Sequence, residues 1–119
     1  MSRDSEKGCR AYLDDILEAI RRIETYTHQI DEEGFLDDIL IQDGVIRNLE
    51  IIGEAVKRLP LQLRDRYPRI EWRKVAGLRD VLIHGYAGVD LEIVWDIVTD
   101  NLGGLKETII EMRDEPDEP

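Results

Sequence analysis

The feature that most constrains this chain is one apolar stripe. Leu91, Val94, Val98, Leu102, Leu105, Ile109 and Met112 follow at intervals of 3, 4, 4, 3, 4 and 3 residues. That spacing returns to one side of an α-helix at every turn, whereas a strand would need two-residue alternation. It predicts a helix from Asp90, suited to the N-cap, to about Met112, with Gly103 and Gly104 marking a kink. A stripe of this kind is stable only when other helices cover it.

The rest of the chain supplies those partners. Leu13, Ile16, Leu17, Ile20 and Ile23, continued by Tyr26 and Ile30, predict a first helix over roughly Asp4 to Ile30. Glu18 and Arg22 form an i,i+4 pair on its solvent side, and Asp31 to Gly34 supplies a break. Val45, Leu49, Ile52, Val56 and Leu59 predict a second helix that starts near Asp37 or Asp38 and ends at Pro60. Gly44 and Gly53 lie inside it, each costing about 1 kcal/mol of helix propensity, which points to close packing against a neighbour. Leu61 to Pro68 reads as a connector with room for a helical turn, and a third helix is expected over roughly Glu71 to His84, stopped by Gly85. The expected fold is all-α, an antiparallel up-and-down bundle of four main helices. Residues 1–113 form its single domain and 114–119 an acidic, disordered tail. Ile39, Ile41, Ile46, Ile51, Ile93, Trp95 and Ile97 lie outside the stripes, a surplus that predicts a homodimer interface.

Composition narrows the function classes. Cys9 is the single cysteine, so no intrachain disulfide and no multi-cysteine zinc site is available. Met1 is followed by polar and charged residues, and no apolar run approaches the ~20 residues of a membrane span. A cytoplasmic protein without membrane attachment is expected. The net charge of −11 argues against a general nucleic-acid coat protein, though not against a local basic cleft.

Chemistry concentrates in the string Gly77-Leu-Arg-Asp-Val-Leu-Ile-His-Gly-Tyr86. On an ideal helix Arg79, Asp80, Ile83 and His84 stand at about 0°, 100°, 40° and 140°, which is one side. Asp80 and His84 are i,i+4, so the carboxylate is placed to fix the imidazole tautomer. Gly85 lets the backbone leave the helix and turn Tyr86 back. Such a set suits RNA cleavage: a histidine moves protons near neutral pH, and a guanidinium grips phosphate and offsets the charge of the phosphorane. No step requires a metal. An ordinary reading of the same residues stays open, with His84 as a C-terminal helix cap and Arg79 and Asp80 as a solvated pair.

The Arg-x4-His core, with a polar residue after the arginine and Tyr two after the histidine, resembles the HEPN superfamily. Val45-Ile-Arg-Asn-Leu-Glu-Ile-Ile-Gly-Glu-Ala55 and Trp72-Arg-Lys-Val-Ala-Gly-Leu-Arg-Asp-Val-Leu-Ile-His-Gly-Tyr86 are similar to the second-helix and active-site-helix signatures of the HepT toxins. The resemblance implies a HEPN-like bundle and a metal-independent endoribonuclease, without cofactor. It also implies the toxin of a type II toxin–antitoxin pair, with RNA as substrate. By the same resemblance Arg79 and His84 are catalytic, Asp80 supports them, and two copies of the motif line a dimer cleft. The implied antitoxin is a minimal MNT-type nucleotidyltransferase that adds AMP to Tyr86, putting bulk and negative charge where substrate phosphate must sit. A second reading is a non-catalytic binding module, or modification target, that partners the nucleotidyltransferase.

Arg47, Glu50 and Glu54, with Asn48, are candidate support residues on the second helix; surface or interhelical ion pairs are their plainer role. A di-metal bundle would need Glu-x-x-His pairs, but Thr25 and Val81 precede His28 and His84 by three, so His28 reads as a surface residue. Cys9 reads as a buried or terminal thiol. Trp72 and Trp95 read as core or interface anchors before base-stacking platforms. Arg64, Arg66, Arg69, Arg73 and Lys74 form the densest basic stretch, open to RNA, an acidic partner or solvent. No Gly-rich phosphate loop or serine-nucleophile motif is present.

Overall fold

The computed structural model describes residues 2–78 and 90–115, with side chains described from Cys9 onward. Every element among them is helical. Helix α1 spans Ser2–Thr27, α2 Glu32–Leu36, α3 Ile39–Lys57, α4 Leu61–Asp65 and α5 Trp72–Ala76. After residues 79–89, α6 covers Leu91–Asp96, a π-helical turn Ile97–Asn101 and α7 Leu102–Asp114.

The apolar stripes become the core. Ile16, Ile20 and Ile23 of α1, Val45, Leu49, Ile52 and Val56 of α3, and Ile109 of α7 are fully buried. Helix α1 packs along α3 and against α7, while α5 lies on α3. Gly44 shows why a helix-breaking residue is kept in α3: a Cβ there would stand 2.9 Å from Tyr26 Cε2 on α1. Among the ion pairs of α1, Glu18 engages Arg21 at 2.7 Å and Arg22 only at 3.9 Å, so the i,i+3 partner prevails over the expected i,i+4 one.

Three local expectations are corrected. The first concerns the break at Asp31 to Gly34, which is the start of a helix. Asp31 caps α2 by accepting from the Gly34 amide at 2.9 Å, and α2 buries Phe35 completely. Phe35 packs on Trp95 of α6, ring centroids 5.3 Å apart, and Gln42 Nε2 of α3 donates to the Phe35 and Leu36 carbonyls. Two polar ends are thereby satisfied around one aromatic anchor. The chain therefore needs only His28 to Asp31 to turn between α1 and α2.

The second correction is a break inside the expected third helix: α5 ends at Ala76, Gly77 is a turn, and the chain is helical again at Leu78. Gly77 is the C-cap of α5 and its amide donates to the Arg73 carbonyl at 3.0 Å. The extent of the third helix beyond Leu78 lies outside the described residues. With α2, α4 and α5 added as short helices, the expected all-α class holds, but four main helices is an approximate description.

The third correction is the last helix. Asp90 caps it as expected, accepting from the amides of Glu92 and Ile93 at 3.0 and 3.3 Å. It passes through Gly103 and Gly104 as regular α-helix, and the irregularity falls earlier, at Ile97–Asn101. The reason is arithmetic. Val94, Val98 and Leu102 spend eight residues on two turns that need about 7.2, so a regular helix would swing the stripe by about 80°. A π turn absorbs about one extra residue and keeps Val94 and Leu102 both buried.

The apolar surplus is narrower than the sequence suggests. Ile41, Ile46, Ile51, Trp95 and Ile97 are half-buried against the core. Ile39, Leu40 and Ile93 stay exposed, at 72%, 82% and 56%.

Candidate functional site

Arg47, Glu50 and Glu54 recur every three or four residues on α3, and the fold brings them together. They line a groove of about 320 Å³ between α3 and α1, with Tyr12 and Asp15 contributed by α1. Arg58 closes its lower end, its guanidinium 3.9 Å from Glu54 Oε1. Arg58 was legible as the next position of the same stripe, 47-51-54-58. Tyr12 and Asp15 were not, because only the α1–α3 packing brings them there. Two guanidinium groups among three carboxylates make the groove a mixed-charge surface, suited to orienting charged side chains rather than to holding RNA backbone unaided. Asn48 turns inward: it is buried, and its Nδ2 donates to the Gly44 carbonyl at 2.8 Å.

The other candidates resolve plainly. His28 is exposed at the end of α1, its Nδ1 3.1 Å from the Thr25 carbonyl oxygen. Trp72 is buried and its indole N–H donates to the Tyr67 carbonyl at 3.0 Å. With Trp95 packed at a tilt on Phe35, both tryptophans serve as anchors. Three members of the basic stretch are engaged by carboxylates. Arg66 pairs with Glu115 at 2.9 Å, Arg69 with Glu111, and Lys74 with Glu71 at 3.1 Å. Tyr67 also donates to Glu115, at 2.8 Å. Burial and that carboxylate push its phenol above the usual tyrosine range. Among the described residues no group of three or more His, Cys, Asp or Glu side chains is placed to hold a metal ion. No helix among them is long and apolar enough to cross a membrane.

Arg79, Asp80, His84 and Tyr86 lie outside the described residues. Their assignment rests on sequence alone. Residues 16–112 match the family model described as Ribonuclease HepT-like. The match takes in most of the chain. This chain belongs to the HepT-like ribonucleases. It is 46% identical over 108 residues to a Thermococcus cleftensis protein named "Probable ribonuclease HepT", covering 91% of this chain and 98% of that one. A Methanocaldococcus jannaschii protein whose name joins gamma-glutamylcyclotransferase to a provisional RNase is 44% identical over 111 residues. That alignment covers 93% of this chain but 50% of the relative, so the HepT-like chain spans half the length of that protein. A second M. jannaschii protein, provisionally named RNase, is 48% identical over 93 residues, with 78% and 77% of the two chains covered. No solved structure gives a significant match. The family match includes Arg47, Glu50, Glu54, Arg79, Asp80, His84 and Tyr86, so every sequence-predicted site residue of this HepT-like chain falls inside it.

Proposed function

We propose that this HepT-like chain is a metal-independent endoribonuclease and the toxin of a type II toxin–antitoxin pair. His84 moves protons at the 2′-hydroxyl and the leaving oxygen, and Arg79 grips the phosphate and offsets the developing charge. The observation that carries this reading is the family match over residues 16–112, which contains the Arg79-x4-His84 pair. Asp80 orients the imidazole, and Arg47, Glu50 and Glu54 support the site from the α1–α3 groove. A homodimer brings two copies of Arg79 to one cleft, which offsets locally a net charge of −11. Exposed Ile39, Leu40 and Ile93 supply apolar surface for such an interface. The antitoxin is a minimal MNT-type nucleotidyltransferase, and AMP on Tyr86 blocks the phosphate position.

The test is cleavage of labelled RNA in EDTA by the wild-type chain beside Arg79→Ala and His84→Ala. Each variant should lose at least about 10²-fold in rate while remaining folded. Full activity in both variants removes the assignment. Intact RNA with the wild type, together with stable binding of a nucleotidyltransferase partner, favours a non-catalytic module instead.

A further inference from the structure

A second cleft, of about 290 Å³, opens where α3, α5 and the π turn meet. Its base is aliphatic: Leu49, Ile52 and Leu102 are buried there, and Val75 and Leu78 line one side. Its rim carries Arg69 and Lys74 against Glu71 and Asp100, so the formal charges cancel. Lys74 is held by Glu71 and Arg69 by Glu111, which leaves neither cation committed to a phosphate. One further rim group, Asn101, ends the π turn and makes no side-chain capping bond to α7. Its carboxamide offers a donor and an acceptor side by side.

A ligand for this cleft must have apolar faces, a hydrogen-bonding edge and no net charge. Its volume stands at the small end of ligand clefts and suits one ring system. A nucleobase has that description, and unstacked bases are recognised by contact on their faces and hydrogen bonds at their edges. The position agrees, since Leu78 immediately precedes Arg79 in the chain and the cleft includes a π turn, an irregularity frequent at functional sites. We propose that this cleft holds one unstacked base of single-stranded RNA, with Asn101 reading its edge. That the base belongs to an RNA substrate rests on the ribonuclease reading; the base site itself does not.

The two are separated by probing the full-length chain with neutral nucleosides, which lack the phosphate that Arg79 would bind. Adenosine, guanosine, cytidine and uridine are titrated while NMR follows the Asn101 carboxamide and the methyl groups of Val75, Leu78 and Ile97. At least one nucleoside should shift these signals saturably, and Asn101→Ala should weaken it about five- to tenfold, the size of one hydrogen bond. Gly104→Leu should weaken every nucleoside, because Gly104 lines the cleft and a Cβ there meets nothing within 4 Å, so the helix accepts the side chain. Cutting should favour sites flanked by the preferred base, and Asn101→Ala should flatten that preference chiefly through KM. No response at millimolar nucleoside, or equal responses in wild type and both variants, overturns the base site even if RNA is cut. Nucleoside binding without RNA cleavage upholds the site and removes the ribonuclease reading.

Discussion

Thr108 offers the most direct check on how the last helix is fastened. It is fully buried, accepts a hydrogen bond from Arg69 Nε at 2.8 Å and donates to the Gly104 carbonyl at 2.9 Å. Thr108→Val keeps the branched shape and deletes both bonds. The bond from Arg69 is charge-assisted, worth about 1.5–3 kcal/mol when the donor is left dry. The Arg69 side chain is 53% exposed, however, so water replaces part of that loss. The Gly104 carbonyl bond is a local i−4 contact of small value. The expected cost is about 1–2 kcal/mol. For a chain of this length the unfolding entropy is about 0.25 kcal/mol per kelvin, so Tm should fall by about 4–8 °C. A thermal melt followed by circular dichroism reads this directly. The cycle with Arg69→Met should return a coupling of about 1 kcal/mol. Glu111→Gln, which touches only the exposed half of the same guanidinium, should cost under about 0.5 kcal/mol. An unchanged or raised Tm in Thr108→Val, or a coupling near zero, refutes the argument that this knot holds α7 to the segment before α5.

Two further outcomes test the fold. Asp90→Ala removes the acceptor for the Glu92 and Ile93 amides and should cost about 1 kcal/mol in denaturant midpoint analysis, with Asp90→Asn largely restoring it. Equal loss in Asn and Ala variants would mean that the cap bond is not the cause. The raised phenol of Tyr67 makes a statement about alkaline stability. Its folded pKa lies above the unfolded value, so its contribution is fully present below about pH 10 and is lost as pH rises through the folded value. The stability gap between wild type and Tyr67→Phe should therefore shrink as pH rises above about 10. A gap that stays constant or widens contradicts the assigned cause.

Periodicity alone determined the class of this protein and most of its core. The stripes of α1, α3 and the last helix are buried as spaced, and Asp38 and Asp90 cap where acidic side chains can accept from free amides. Local chemistry sufficed there because each signal lies within one or two turns. The sequence likewise carried the Arg79-x4-His84 motif and the family, since both depend on residue identity at fixed spacing. Tertiary structure decided what had no local signal. Phe35 is a core residue because α3 and α6 converge on α2, although its neighbours read as a break. The π turn was implicit in the two successive four-residue intervals, but only the need to keep Val94 and Leu102 on one buried side placed it before the glycines. Tyr12 and Asp15 joined the α3 carboxylates through helix packing, as Asn101 joined Val75 and Leu78 at the second cleft. Contacts between residues distant in the chain follow from how apolar faces fill a common volume, and no window of sequence contains that geometry.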